Sequence, residues 1–289
     1  DSTVAGYHIA RRLGSGGTSV VYLARHAERG RPYALKVMRR HLSADAEMAE
    51  RFQREALVLA ALAQPGLPHL VDHGRTGDGA PFLVMNLLVG QTLAERLDLG
   101  PMAMPDAVDI ARQAACTLSA VHAAGVLHCD VKPDNLFLTP NPLGGARYRV
   151  VVIDFGAVSV PDFHAAGPVS SRRYRRLFGT PSYMAPEQCR SGSELDPRTD
   201  VYGFGCLLYE MLSGRPPFEG TVAQILAAHQ AAVRPRVSAL CPDVPADLDL
   251  LIASMIASDP DRRPPSMSAV ERALAETMLP PPIDLPARA

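Results

Sequence analysis

The spacing of hydrophobic and polar positions changes once along this chain, and the change divides it into two regions. In the first, short apolar runs at 7–13, 20–25 and 33–38 are separated by glycine or charged turns, the pattern of an antiparallel sheet. A helical period follows. Across 45–64, Met48, Phe52, Glu55, Leu59 and Leu62 fall on one stripe at spacings of three and four. Residues 82–88 predict a buried strand, after which the chain becomes alanine-rich. The segment 106–124 carries Ala107, Ile110, Ala111, Ala114, Leu118 and Val121 on one face, with Gly125 as its stop. Further helices are predicted over 200–212, closed by Gly214, and over 222–231, 246–257 and 266–276. The boundary between the regions falls near 86–90. Residues 1–87 therefore read as one unit and 88–277 as a second, and the proline-rich 278–289 as a tail or the start of a linker.

Glu55 is the odd member of its stripe. An inward acid is costly unless it meets a cation, so Lys36 on the neighbouring strand is its expected partner; the competing reading leaves Glu55 solvated at the rim. Composition narrows the class without choosing a chemistry. With 289 residues and 47% hydrophobic content the chain suits one large domain or two lobes. A formal net charge of -1 gives no reason to expect nucleic acid. No apolar run approaches the roughly 18 residues of a spanning helix, and no signal peptide is visible, so a cytoplasmic location is expected. The chain begins at Asp1 rather than at methionine, which leaves open an anchor elsewhere in a longer parent. Five cysteines without a Cys-x-x-Cys spacing read as free thiols, not as a zinc or disulfide framework.

Candidate chemistry concentrates in His128-Cys129-Asp130-Val131-Lys132-Pro133-Asp134-Asn135, followed by Asp154-Phe155-Gly156. These offer a carboxylate to orient a hydroxyl (Asp130), a cation to neutralise phosphate (Lys132) and two metal-ligand oxygens (Asn135, Asp154). Asp-Phe-Gly alone is a strand ending in a turn; the pair in this order is much more specific. Upstream, Leu13-Gly14-Ser15-Gly16-Gly17-Thr18-Ser19-Val20-Val21-Tyr22 lies between two strands and reads as a hairpin. Such a hairpin is either an ordinary turn or a cover that offers backbone N–H groups to phosphates. Tyr33-Ala34-Leu35-Lys36 on the next strand sets a cation beside it and favours the second reading.

Together these segments resemble the eukaryotic-like protein kinases, and the loop is most similar to the bacterial Ser/Thr branch. The resemblance continues through 179–187 (Gly179-Thr180-Pro181-Ser182-Tyr183-Met184-Ala185-Pro186-Glu187), Asp200 and Asp259-Pro260-Asp261-Arg262-Arg263-Pro264. It implies an α+β fold of two lobes, a small antiparallel sheet with one helix and a larger, mainly helical lobe, with ATP between them. Leu13, Gly14, Ser15, Gly16 and Gly17 would cover the phosphates. Lys36, paired with Glu55, would hold them. Asn135 and Asp154 would bind Mg2+, with Mn2+ as the alternative. Asp130 would act as base, Lys132 would stabilise the transferring group and Thr180 would complete the catalytic set. Val21, Ala34 and Phe137 would sandwich the adenine, Met85 would stand behind it, and the backbone of Asn86 and Leu88 would bond its edge. Asp200 would brace the catalytic loop, and Glu187 would pair with Arg263. The implied partners are ATP and protein substrates with Ser or Thr acceptors, with self-association for autophosphorylation as a further expectation.

Three residues depart from the family pattern. Ser19 replaces the third loop glycine and brings a hydroxyl towards the phosphates. Asn86 replaces the usual hinge acid, which should matter little to a backbone function. Cys129 replaces the arginine that in many members receives an activation-segment phosphate, so less dependence on that phosphorylation is expected. Ser170, Ser171 and Thr180, near Arg172, Arg173, Arg175 and Arg176, read as a solvated basic loop or as a receiver of phosphate. Residues 140–149 form a longer connection than usual, with Gly144-Gly145 at a turn, and Cys129 reads as a buried inert thiol or a redox site. Two other functions compete: a pseudokinase scaffold that binds nucleotide, and a small-molecule phosphotransferase of similar fold.

Overall fold

The computed structural model describes residues 3–28, 30–141, 145–155, 180–190, 193–231 and 233–277. Its first region is a six-stranded antiparallel sheet of β1 (Thr3–Val4), β2 (Tyr7–Ser15), β3 (Ser19–His26), β4 (Pro32–Met38), β5 (Leu70–Arg75) and β6 (Pro81–Asn86), in the order β1-β2-β3-β4-β6-β5. Strand β2 runs two residues past its predicted end because Gly14 and Ser15 pair with Val21 and Val20 through two register shifts. The loop tip is thereby confined to Gly16, Gly17 and Thr18. Conversely, β6 stops at Asn86, short of the predicted 88, where its pairing with β4 ends at Tyr33. One sheet face is closed by Tyr7, Ala24, Leu35, Phe82 and Val84.

Helix α1 (Ala46–Ala61) covers the other face, with Phe52 and Ala56 packed with Met38 and Leu83. Asp45 is its N-cap and accepts the N–H groups of Glu47 and Met48, satisfying donors the first turn leaves free. Of the predicted stripe, Phe52, Glu55 and Leu59 are buried, while Leu62 lies beyond the last turn.

The second region begins with β7 (Gln91–Thr92) and the short helix α2 (Leu93–Leu97), which the sequence reading missed; Thr92 and Glu95 close a reciprocal capping box. Helix α3 (Met104–Ala123) buries all six residues of its predicted face at 0% exposure. Strands β8 (Leu136–Pro140) and β9 (Tyr148–Val152) join β7 in a second antiparallel sheet. Then come α4 (Pro197–Ser213), α5 (Val222–Gln230), α6 (Ala246–Met255) and α7 (Met267–Thr277). Helix α4 starts three residues earlier than predicted, since Asp196 caps it and Pro197 supplies the first turn; Gly214 ends it at φ 78°, as expected. It is buried on nearly every side, which explains its near-continuous apolar sequence.

The two regions meet through the residues after α1. Gly66 (φ +91°) accepts the N–H of Val152 at 2.8 Å through its carbonyl, and a Cβ there would lie 2.2 Å from Thr117 Oγ1. Only a glycine lets the backbone come that close to α3. Val58 and Leu59 of α1 accordingly belong to the same core cluster as α3, α4 and Phe155. Among the described residues no helix is long and apolar enough to cross a membrane.

Candidate active site

Two carboxylates, one from each lobe, converge on one cation. Lys36 on β4 donates to both Glu55 carboxylate oxygens on α1 at 2.7 Å, and to Asp154 Oδ1 just past β9 at 3.0 Å. Lys36 and Glu55 are 6% and 2% exposed, so the reading of a solvated Glu55 does not hold. Burial alone would lower the Lys36 pKa; the charges of Glu55 and Asp154 more than offset it and hold the ammonium above its ordinary range. The sequence suggested the Glu55 contact. The link to Asp154 appears only in three dimensions.

The catalytic-loop candidates are held from below by Asp200, in the first turn of α4. Its carboxylate accepts the backbone N–H groups of His128 and Cys129 at 2.8 and 2.7 Å, and lies 2.7 Å from His122 Nε2. Burial would raise the Asp200 pKa, but the hydrogen bonds and nearby imidazoles lower it on balance. This grip over-determines a backbone that is otherwise unfavourable. Cys129 takes φ 61°, a left-handed conformation that side chains with a Cβ rarely adopt; Asp154, outside this grip, takes φ 63°. Cys129 is buried, with its carbonyl accepting from Gln188 Nε2 at 2.8 Å, in accord with the reading of a buried thiol.

Above this brace, Asp130 collects the polar groups of the site. Its Oδ2 lies 2.7 Å from Lys132 Nζ and accepts from Asn135 Nδ2 at 3.2 Å, and its Oδ1 accepts the Thr180 N–H at 3.2 Å. Lys132 Nζ also donates to Thr180 Oγ1 at 2.9 Å. Asp130, Lys132, Asn135 and Thr180 are thus one connected cluster. The Ile153 N–H donates to the Asn135 carbonyl at 2.8 Å, which brings Asp154 alongside. Phe155 is fully buried, and its ring centroid lies 4.9 Å from that of His128.

Asn135 uses its amide nitrogen on Asp130, bonding both its backbone oxygen at 2.8 Å and its carboxylate. Its amide oxygen is therefore what it can offer a cation, beside the half-exposed Asp154 carboxylate. Among the described residues no three His, Cys, Asp or Glu side chains group as a metal cage. Two hard oxygen donors without a cage fit Mg2+, which keeps several waters and completes its shell with phosphate oxygens.

The glycine loop has a spatial reason for its composition. A Cβ on Gly14 or Gly17 would meet nothing within 4 Å, and neither has a positive φ, so the fold does not demand glycine there. What the missing side chains leave is open space beside the loop. Arg39 holds the loop from outside, its Nε donating to the Gly16 carbonyl at 3.0 Å and its Nη2 to Ser15 Oγ at 2.7 Å; a basic residue just after β4 was the overlooked signal. Ser19 is buried as the first residue of β3, with its carbonyl accepting the Gly16 N–H.

Of the adenine-slot candidates, Val21 is opposite Lys36 and Ala34 opposite Met85 in the small sheet, while Phe137 lies on β8 opposite Thr92. Val21, Ala34, Met85, Phe137 and Leu88 are each half-buried, and Leu13 is 38% exposed. Asn86 does more than carry backbone: its Oδ1 accepts the His69 N–H at 2.6 Å while its own N–H donates to the His69 carbonyl. Below the cleft, Arg263 donates to both Glu187 oxygens at 2.6 and 2.9 Å, as expected. Gly156, Ser170, Ser171, Arg172, Arg173, Arg175, Arg176, Gly179, Gly144 and 278–289 lie outside the described residues.

Comparison with known proteins gives this geometry relatives. The protein kinase domain family model matches residues 7–274. The serine/threonine-protein kinase pkn2 of Myxococcus xanthus is 37% identical over 93% of this chain, which covers 32% of that protein. PknL of Mycobacterium tuberculosis is 37% identical over 97% of the chain and 68% of its own length. The chain thus spans about a third of one relative and two-thirds of the other. Among solved structures, the Mycobacterium tuberculosis PknI kinase domain is similar at TM-score 0.72 and 29% identity, over 96% of this chain and 98% of that one.

Proposed function

This chain belongs to the protein kinase family, and from that premise we propose that it transfers the γ-phosphoryl group of ATP to Ser or Thr hydroxyls of protein substrates. The observation that carries the reading is the Asp130 cluster: a carboxylate gripped by Lys132, Asn135 and Thr180, with Asp154 beside Asn135 bonding the Lys36–Glu55 pair of the first region. Asp130 orients the acceptor hydroxyl and takes its proton. Lys132, held between Asp130 and Thr180, presents its ammonium to the transferring phosphoryl oxygens. Lys36 holds the nucleotide phosphates while Glu55 fixes its ammonium, and the loop of Gly14, Gly16 and Gly17, open at Gly14 and Gly17, covers them. Asn135 and Asp154 would hold Mg2+, which when bound neutralises developing charge on the phosphates. Val21, Ala34, Phe137 and Met85, with the backbone of Asn86 and Leu88, form the adenine slot. Lysine two residues after Asp130, and Thr180 before Pro181, support Ser/Thr over Tyr as the acceptor.

Labelled ATP with wild type and Asp130→Asn tests the proposal. Wild type should label Ser and Thr, and the variant should fall by about 10²- to 10⁴-fold while still binding nucleotide. Label on tyrosine alone would overturn the acceptor class. Equal absence of label in both proteins would favour the scaffold reading.

A further inference from the structure

His229 on α5 has no place in the chemistry above, yet it is 0% exposed and both its ring nitrogens are engaged. Nε2 lies 2.8 Å from the Pro181 carbonyl, and Nδ1 lies 2.6 Å from the Tyr202 hydroxyl on α4. A carbonyl can only accept, so Nε2 carries the proton. The Nδ1 of the neutral ring is then the acceptor, and the Tyr202 hydroxyl donates to it. The ring is also fixed by edge contacts: Phe218 has its centroid 4.8 Å away and Tyr202 5.5 Å away. Arg234 secures the helix end by donating to the His229 carbonyl at 2.8 Å while lying over Phe218.

Pro181 has no N–H, and within its own turn its carbonyl has only a long contact, 3.3 Å from the Met184 N–H. The imidazole is its short partner. The residue before it is Thr180, whose N–H bonds Asp130 and whose hydroxyl accepts from Lys132. A set of contacts thus runs from Tyr202 through His229 to the Pro181 carbonyl and, along the backbone of Pro181 and Thr180, to Asp130.

We propose that His229 is a positioning residue for phosphoryl transfer to the protein substrate, acting by holding the Pro181 carbonyl and so the Thr180 contacts to Asp130 and Lys132. The proposal rests on the reading of Asp130 as the base. It distinguishes the two sides of the cleft. The set runs from Tyr202 to Asp130, whereas Lys36 and Glu55 bond each other on the nucleotide side, so the loss of His229 is expected on the acceptor side.

His229→Leu removes both ring bonds, whereas His229→Gln returns a donor for the Pro181 carbonyl. For wild type and both variants, kcat and KM for a Ser/Thr peptide that the wild type phosphorylates are measured below the melting temperature. Affinity for a fluorescent ATP analogue and amide exchange over 180–184 complete the set. Expected are a loss of about 10- to 100-fold in kcat/KM for His229→Leu, nucleotide affinity unchanged within about twofold, faster exchange at Thr180, and substantial recovery of all three in His229→Gln. Wild-type kcat/KM in His229→Leu, equal impairment of the two variants, or a parallel loss of nucleotide affinity would each overturn the proposal. An inactive wild type would instead remove the reading of Asp130 itself, with which this role falls.

Discussion

Substituting His229 by glutamine should change how the stability of this fold depends on pH, and the size of the change follows from the site. Unfolded, an imidazole takes up its proton near pH 6.5. In the folded chain burial, the largest cause, holds the His229 pKa down to about 4; the Pro181 carbonyl opposes this and the Arg234 charge adds to it. Below pH 6.5 the unfolded chain therefore binds a proton that the folded chain does not, so stability falls as pH falls. The contribution is fully present above about 6.5 and fully lost once the pH passes about 4. Tyr202, which donates to the ring, is held above its ordinary range by burial and does not titrate in this window; Arg234 lies over Phe218 and Arg263 over Tyr202. Linkage over this range gives a loss of about 2 kcal/mol between about pH 7.5 and about pH 5.0, which glutamine cannot show. Thermal or urea unfolding of both proteins across that range would measure it. The gap in stability between wild type and His229→Gln should shrink by about 2 kcal/mol, or about 4–8 °C in melting temperature, on acidification. Parallel pH profiles for the two proteins would refute the reasoning, because they would mean that the imidazole is not held neutral by its surroundings.

Other substitutions test other joints of the structure. Arg263→Ala should cost about 3–5 kcal/mol in urea unfolding, since it strands the Glu187 carboxylate beneath a fully buried guanidinium site; a loss under about 1 kcal/mol would count against the pair as a structural element. Gly90→Ala should lower the melting temperature by several degrees, because a Cβ at φ +151° would sit 2.0 Å from the Leu138 carbonyl oxygen. An unchanged melting curve would show that this backbone can yield. Phosphatase treatment should leave most kinase activity intact, because Cys129 offers no guanidinium to a phosphate and its backbone is already held by Asp200 and Gln188. A collapse to background would refute that.

Several features of the fold were legible because they are local. The apolar face of α3 repeats every three or four residues, and all six residues named from that period are fully buried. Asp130, Lys132 and Asn135 stand within six positions, so their proximity is a property of the chain itself. Glu55 was legible for a different reason: a buried acid needs a cation, and Lys36 was the nearest offered by the neighbouring strand. The short elements were not legible. Strand β7 and helix α2 together span seven residues, too few to show a period, and their stability comes from the capping box and the burial of Leu93. Strand ends were also misplaced, because Gly14 and Ser15 pair for reasons of register across the hairpin, which composition does not carry.

The sequence by itself determined which groups this protein has for its chemistry and the order in which the chain presents them. Only the tertiary structure decided how they meet. Lys36 reaches Asp154 across 118 positions, Asp200 holds Cys129 across 71, and His229 reaches Pro181 across 48. No local period encodes such contacts, since each depends on two elements being packed at one distance and orientation. The packing around Gly66, α4 and the buried Phe155 sets those distances, and so converts a set of motifs into a site.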